Sequence, residues 1–219
     1  DGYGAILLAV GCQEGMPLEA PGSEAEGVID AVKFLRDVNL QRPPAIGKRV
    51  AVIGGGDTAI DSARSALRLG ADEVHLVYRR TEEEMPAHAA EIAEARHEGV
   101  QFHFLAAPKE VTVEDGKVVG LVCQQMRLGD FDRSGRRRPE PVEGADFTLE
   151  VDTIIPAIGQ RISADCLCVE TSRGKLCADP RTLVTNLPHV FAAGDATDGP
   201  MTVVDAIADG HKAARAIHS

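Results

Sequence analysis

Apolar positions along this chain alternate between two periods. Ala5-Ile-Leu-Leu-Ala-Val-Gly11, Val50-Ala-Val-Ile53, Val100 to Leu105 and Val190 to Ala193 are short hydrophobic runs, the pattern of strands buried in a sheet. Gly47 to Gly70 reads as a strand followed by an amphipathic helix, and Glu73 to Arg80 as the next strand. Pro86 suits the first turn of a further helix that reaches about Glu98. Pro108 to Leu128 alternates as a β-meander turning at Glu114-Asp-Gly116, and Phe147 to Ile158 returns to the sheet. The segment Gly129 to Gly144, with several prolines and Arg136-Arg-Arg138, reads as an exposed loop whose basic run is solvated. From Thr202, the positions Val203, Val204, Ile207, Ala214 and Ile217 follow helical spacing, with Pro200 at the helix start.

This order predicts an α/β protein containing a Rossmann-like domain with a β excursion. Thr153-Ile-Ile-Pro-Ala-Ile-Gly159 repeats the shape of the opening run, matching Ile6 with Ile154, Ala9 with Ala157 and Gly11 with Gly159. Each run finishes on small residues, which lets a strand pass close to a bound dinucleotide and makes Gly159 a candidate contact. A plain core strand with a turn glycine fits the same residues.

The chemistry concentrates where the first strand of that domain meets its helix. Gly54, Gly56 and Ala59 fit G-x-G-x-x-G/A at the turn. Gly54 permits the tight turn, Gly56 lets the backbone approach a pyrophosphate, and Ala59 lets the helix lie close on the strand. The helix beginning near Asp57 presents open amides and a positive dipole end to that anion. Gly54, Gly55, Gly56, Asp57, Thr58 and Ala59 are therefore the candidate contacts. At the end of the second strand, where an acidic residue would hold a ribose 2′-hydroxyl, stand Arg79 and Arg80. Two guanidiniums suit a 2′-phosphate, at about 1.5–3 kcal/mol for each charge-assisted bond. Losing both predicts roughly a hundredfold weaker NADPH binding with NADH little changed. A glycine turn with a solvated basic strand end is the alternative.

Near the other end, Val190 to Ala193 leads into Gly194, which clears room for a ligand, and Asp195, which can accept from a hydroxyl. Open amides at the start of the last helix, at Thr202 and Val203, would face an electron-rich ring edge.

Composition narrows the class. A net charge of −11 argues against a general nucleic-acid surface, so the arginines at the strand end act locally. No apolar run approaches the roughly 20 residues of a membrane helix and nothing at the start reads as a signal peptide, so a cytoplasmic protein without membrane contact is expected. The cysteines Cys12, Cys123, Cys166, Cys168 and Cys177 lack C-x-x-C spacing, which disfavours a disulfide framework, a zinc site or a redox pair. Cys166-Leu-Cys168 fits small residues carrying free thiols. The histidines show no ligand spacing, and no metal site or catalytic dyad is expected.

Ile53-Gly-Gly-Gly-Asp-Thr-Ala59, Val77-Tyr-Arg-Arg80, Glu84-Met-Pro86, Ser134-Gly-Arg-Arg-Arg-Pro139, Ala157-Ile-Gly-Gln160 and Val190-Phe-Ala-Ala-Gly-Asp195 resemble the glutamate synthase small (beta) subunit family. That family belongs to the flavoproteins with two dinucleotide-binding domains, and the likeness covers nearly the whole chain. It implies that NADPH reduces FAD and that electrons leave through iron–sulfur clusters to a partner such as a glutamate synthase large subunit. It also implies that Gly54, Gly56, Arg79 and Arg80 hold NADPH. Gly194 and Asp195 would meet the FAD ribityl and pyrophosphate, with Thr202 and Val203 near the flavin pyrimidine edge. The family's cysteine-rich cluster domain and the glycine fingerprint of its FAD half have no counterpart in this sequence. Ala87-His88-Ala89 stands where many relatives carry a basic residue. The expectation is the C-terminal portion of a longer enzyme, with residues 1–45 an FAD-domain remnant, 46–158 the NADP(H)-binding domain and 159–219 the C-terminal part of the FAD-binding domain. An NADP(H)-binding fragment without turnover, or a scaffold whose FAD site is completed in trans, fits the same sequence.

Overall fold

A computed structural model describes residues 2–131, 135–163 and 168–218. Ser134 of the arginine motif and Cys166 of the cysteine pair lie outside the described residues. The elements run β1 (Ile6–Leu8), β2 (Glu14–Gly15), α1 (Ala31–Asn39), β3 (Arg49–Ile53), α2 (Asp57–Arg68), β4 (Glu73–Tyr78), α3 (Ala89–His97), β5 (Gln101–Phe104) and β6 (Ala106–Glu114). They continue with β7 (Lys117–Phe131), β8 (Arg137–Leu149), β9 (Thr153–Pro156), β10 (Gln160–Arg161), β11 (Thr171–Ser172), β12 (Lys175–Leu176), β13 (Val190–Ala192), α4 (Asp195–Asp198) and α5 (Val203–His218). Two compact units result, Gly15–Ile158 and Asp1–Glu14 with Gly159–Ser219.

In the larger unit four parallel strands lie in the order β5-β4-β3-β9. Successive side chains on a strand point to opposite faces, and β3 supplies both cores. Val50 and Val52 pack with Ile60 and Ala63 of α2, Phe34 of α1 and Ile92 of α3. Ala51 and Ile53 pack on the other face with Val111, Val118, Leu121 and Cys123 of the meander. The sheet is therefore sandwiched between helices and a second, antiparallel sheet of order β6-β7-β8. Cys123 is a core residue, and burial pushes its thiol up to about 12. The β6–β7 hairpin turns where the sequence predicts: Asp115 and Gly116 have φ of 49° and 79°, the two left-handed positions of a tight hairpin.

Three expectations shift. The compact unit begins at Gly15, not at 46, because α1 carries buried Ala31 and Phe34 into the helix-side core and Val28 bridges Ile154 of β9. The helix expected at Pro86 begins at Ala89, after a short 3-10 turn at Glu82–Glu84 capped by Thr81. The segment 129–144 is not a loop among the described residues, since β7 reaches Phe131 and β8 starts at Arg137.

In the smaller unit β1 and β13 form a two-stranded parallel sheet, with Ile6 opposite Val190. Phe191 and Ala192 are buried, but Ile6 is 55% exposed, so β1 is an edge and not the buried strand its composition suggests. The last helix forms as its spacing predicts, yet Val203, Val204, Ile207 and Ile217 are exposed and only Ala213 is buried. Among the described residues no helix is long and apolar enough to cross a membrane.

Helices α2 and α3 are tied by charge as well as by packing. Glu98 accepts from Arg64 at 2.7 Å and 3.1 Å and from Arg68 at 2.8 Å, and Arg64 also pairs with Glu91. These guanidiniums, Arg64 foremost, hold the Glu98 carboxyl at about 2 against an ordinary 4.5. A depressed carboxyl stabilises the fold above its unfolded value and loses that contribution as pH falls through the folded one. Glu98→Gln is expected to lower the urea midpoint at neutral pH and to flatten its decline between pH 4.5 and about 2. Parallel midpoint-against-pH curves for the two proteins would contradict this.

Candidate functional site

The glycine turn joins β3 to α2. Gly54 has φ of 149°, and its amide donates to the Val77 carbonyl of β4 at 3.0 Å. A Cβ there would sit 2.3 Å from the Ala157 carbonyl oxygen and 3.2 Å from Ala59 Cβ. Only glycine fits, because β9 and α2 both close on this point. Ala59 is fully buried, as the close helix–strand packing requires. A Cβ on Gly55 would meet the Tyr78 ring at 2.4 Å. Gly56 differs: its Cβ would find only Pro86 Cγ, at 3.9 Å. The space beside Gly56 is thus open, and no fold contact demands a glycine at that position.

Gly56 caps α2 with extended backbone and no side-chain bond. Its carbonyl accepts from Ala59 and Ile60, while the amides of Gly55, Gly56, Asp57 and Thr58 donate to no protein acceptor among the described residues. Together with the positive end of α2, a 12-residue helix, these donors form a cradle for an anion. Such donors and the room beside Gly56 fit a dinucleotide diphosphate. Asp57 places one carboxylate oxygen on the His88 amide at 3.0 Å and on His88 Nδ1 at 3.1 Å. Partial burial pushes this carboxyl upward, but the His88 hydrogen bonds outweigh it and leave Asp57 below the usual range.

The two arginines at the end of β4 part company. Arg79 is exposed, whereas Arg80 is 4% exposed and its Nε donates to the Arg137 carbonyl of β8 at 2.8 Å. The two guanidiniums are therefore not equivalent: Arg80 Nε ties the end of β4 to β8, and Arg79 stands at the surface. Sequence reasoning also missed that β8 brings its first residue, Arg137, to this strand end. The Arg137 side chain turns back to the Leu128 and Gly129 carbonyls of β7.

The second set of candidates lies in the smaller unit. Gly159 is exposed with φ of 134°. Gly194 has φ of 70° at the end of β13, where a Cβ would meet nothing within 4 Å, and its amide donates to Asp209 at 3.1 Å. Asp195 follows, its carboxylate accepting from the Met201 amide at 3.2 Å. Thr202 does not offer an open amide: Asp205 accepts from it at 3.2 Å, while the Thr202 hydroxyl accepts from the Asp205 amide at 3.2 Å. This reciprocal cap satisfies the residue before the helix, leaving the Val203 amide as the first of α5.

Comparison with known proteins follows the same lines. Residues 1–210 match the pyridine nucleotide-disulphide oxidoreductase family. The chain is 48% identical to the NADP(+)-dependent formate dehydrogenase subunit beta of Moorella thermoacetica, over 98% of this chain and 31% of that protein. It is 38% identical to the glutamate synthase [NADPH] small chain of Azospirillum brasilense, over 98% of this chain and 48% of that one. The chain thus spans a third to a half of the length of these relatives. FprA of Mycobacterium tuberculosis, solved in complex with NADPH, shares the α/β fold with a TM-score of 0.81 at 21% identity, covering 99% of this chain and 62% of that one.

The glycines separate fold from ligand. Gly54→Ala is expected to destabilise the protein by about 1–3 kcal/mol through the forced backbone and the Ala157 clash. Gly56→Ala should leave the melting temperature unchanged while weakening dinucleotide binding at least tenfold by calorimetric titration. Equal melting losses for both variants would refute the distinction.

Proposed function

Because the chain belongs to the pyridine nucleotide-disulphide oxidoreductase family, we propose that its larger unit holds NADP(H) and its smaller unit part of an FAD site, in an NADPH-dependent flavin oxidoreductase. The observation that carries this reading is the run of main-chain donors from Gly55 to Thr58 without protein acceptors, beside an open Gly56 and one strand away from an exposed Arg79. When bound, the nicotinamide and flavin would supply the hydride and electron chemistry. The chain's own residues supply position and polarity. The amides at the start of α2 donate to the diphosphate, Ala59 keeps that helix against β3, and Arg79 meets the 2′-phosphate as a charge-assisted donor. In the smaller unit Gly194 and Asp195 stand at a strand end where ribityl and pyrophosphate groups would pass. The Val203 amide and the α5 dipole favour negative charge at the flavin pyrimidine edge.

The relatives' names describe subunits, which supports a partner enzyme as electron acceptor. We place iron–sulfur clusters of that partner, of the glutamate synthase large-subunit kind, next in the electron path. A cytoplasmic setting fits the free thiols of Cys12, Cys123, Cys168 and Cys177. A second reading, NADP(H) binding without turnover or with the flavin site completed by another chain, is favoured by the exposed Val203 and Val204 at 77% and 74%. Purified chain that is yellow and releases flavin on denaturation supports the first reading; colourless protein that binds NADPH supports the second.

Arg79→Ala is expected to weaken NADPH binding by roughly ten- to a hundredfold, at about 1.5–3 kcal/mol for one charge-assisted bond. NADH binding should change less than about twofold. Fluorescence titration with both nucleotides checks this, and an equal loss for the two would overturn the assignment.

A further inference from the structure

An acidic residue in the first turn of a phosphate-binding helix is a paradox. Asp57 favours the helix dipole, but its charge repels the diphosphate that the same amides would bind. Its surroundings give it other work. The segment from Thr81 to His88 leaves the end of β4, makes the 3-10 turn and folds back over the glycine turn. Ala87 donates its amide to the Gly55 carbonyl at 3.1 Å, and Tyr78, whose ring faces Gly55, donates its hydroxyl to the Glu84 carbonyl at 2.8 Å. Met85 and Ala87 are buried in the helix-side core. The last tie is the Asp57 carboxylate on the His88 amide, across 31 residues of chain.

We propose that Asp57 is a positioning residue: through the His88 main chain it straps residues 81–88 onto the glycine turn and so holds the donors of Gly55 to Thr58 in place for a diphosphate. This rests on the NADP(H) reading and adds to it a second task for the strand-end loop. The same loop that starts at the arginines fixes the pyrophosphate cradle, so gripping one phosphate and ordering the site for the others become a single mechanical unit. The bond that matters is carboxylate to main-chain amide, and an asparagine oxygen could make it equally well without the charge.

Three variants of this chain test the strap, read by calorimetric titration with NADP⁺ and by amide hydrogen exchange of Ala87 without nucleotide. Asp57→Ala removes the acceptor, and His88→Pro removes the donor at a residue whose φ is already −63°. Both are expected to weaken NADP⁺ at least tenfold and to speed Ala87 exchange at least tenfold, with unchanged melting temperature. Asp57→Asn should keep wild-type exchange and bind NADP⁺ as tightly as wild type or more tightly. Asp57→Ala binding like wild type, or Asp57→Asn failing along with it, would overturn the strap. Wild-type protein that binds no NADP⁺ at all would instead strike at the underlying reading.

Discussion

Three pieces of main chain converge on Gly54: the end of β3, the Ala157 carbonyl just past β9 and the first turn of α2. No side chain can be accommodated between them. That exclusion fixes where α2 begins relative to the sheet. With the helix start pinned, Gly56 falls outside the packed junction and its neighbours' amides remain without internal partners. The candidate anion site is thus a by-product of close packing one residue earlier. Of the three turn glycines, the most tightly constrained serves the fold, and the least constrained is left for a ligand.

The two faces of the parallel sheet divide the remaining labour. Helices cover one face, and their ion pairs, centred on Arg64 and Glu98, lock α2 against α3 behind the glycine turn. The antiparallel meander covers the other face through Val111, Val118 and Leu121. Its outer strand reaches the end of β4, where the Arg137 carbonyl takes the Arg80 side chain out of solvent. In a chain of net charge −11 the result is a local basic strand end with one exposed and one anchored guanidinium. Burying Arg80 is tolerable because it is hydrogen-bonded.

The β3–α2–β4 core was legible because each of its signals is local: an apolar run, glycines at a turn, a small residue one helical turn on. The meander's outer strand was not. Pro139 and Pro141 in β8 read as loop residues, but β8 is the edge of the three-stranded sheet, where a missing N–H need not break a pair. The same misreading hid the approach of Arg137 to Arg80. The Asp57–His88 tie spans 31 residues and carries no periodic signature. In the last helix the spacing was readable and the burial was not, since Val203 and Val204 follow helical order yet remain exposed. Periodicity reports the element, and only packing partners decide which of its faces is covered.

The most direct test is a crystal structure of this chain grown with NADP⁺. The expected result is a diphosphate about 2.7–3.2 Å from the amides of Gly56, Asp57 and Thr58, with the 2′-phosphate against the Arg79 guanidinium. A nucleotide bound elsewhere, or bound here with its diphosphate turned away from the start of α2, would contradict the account.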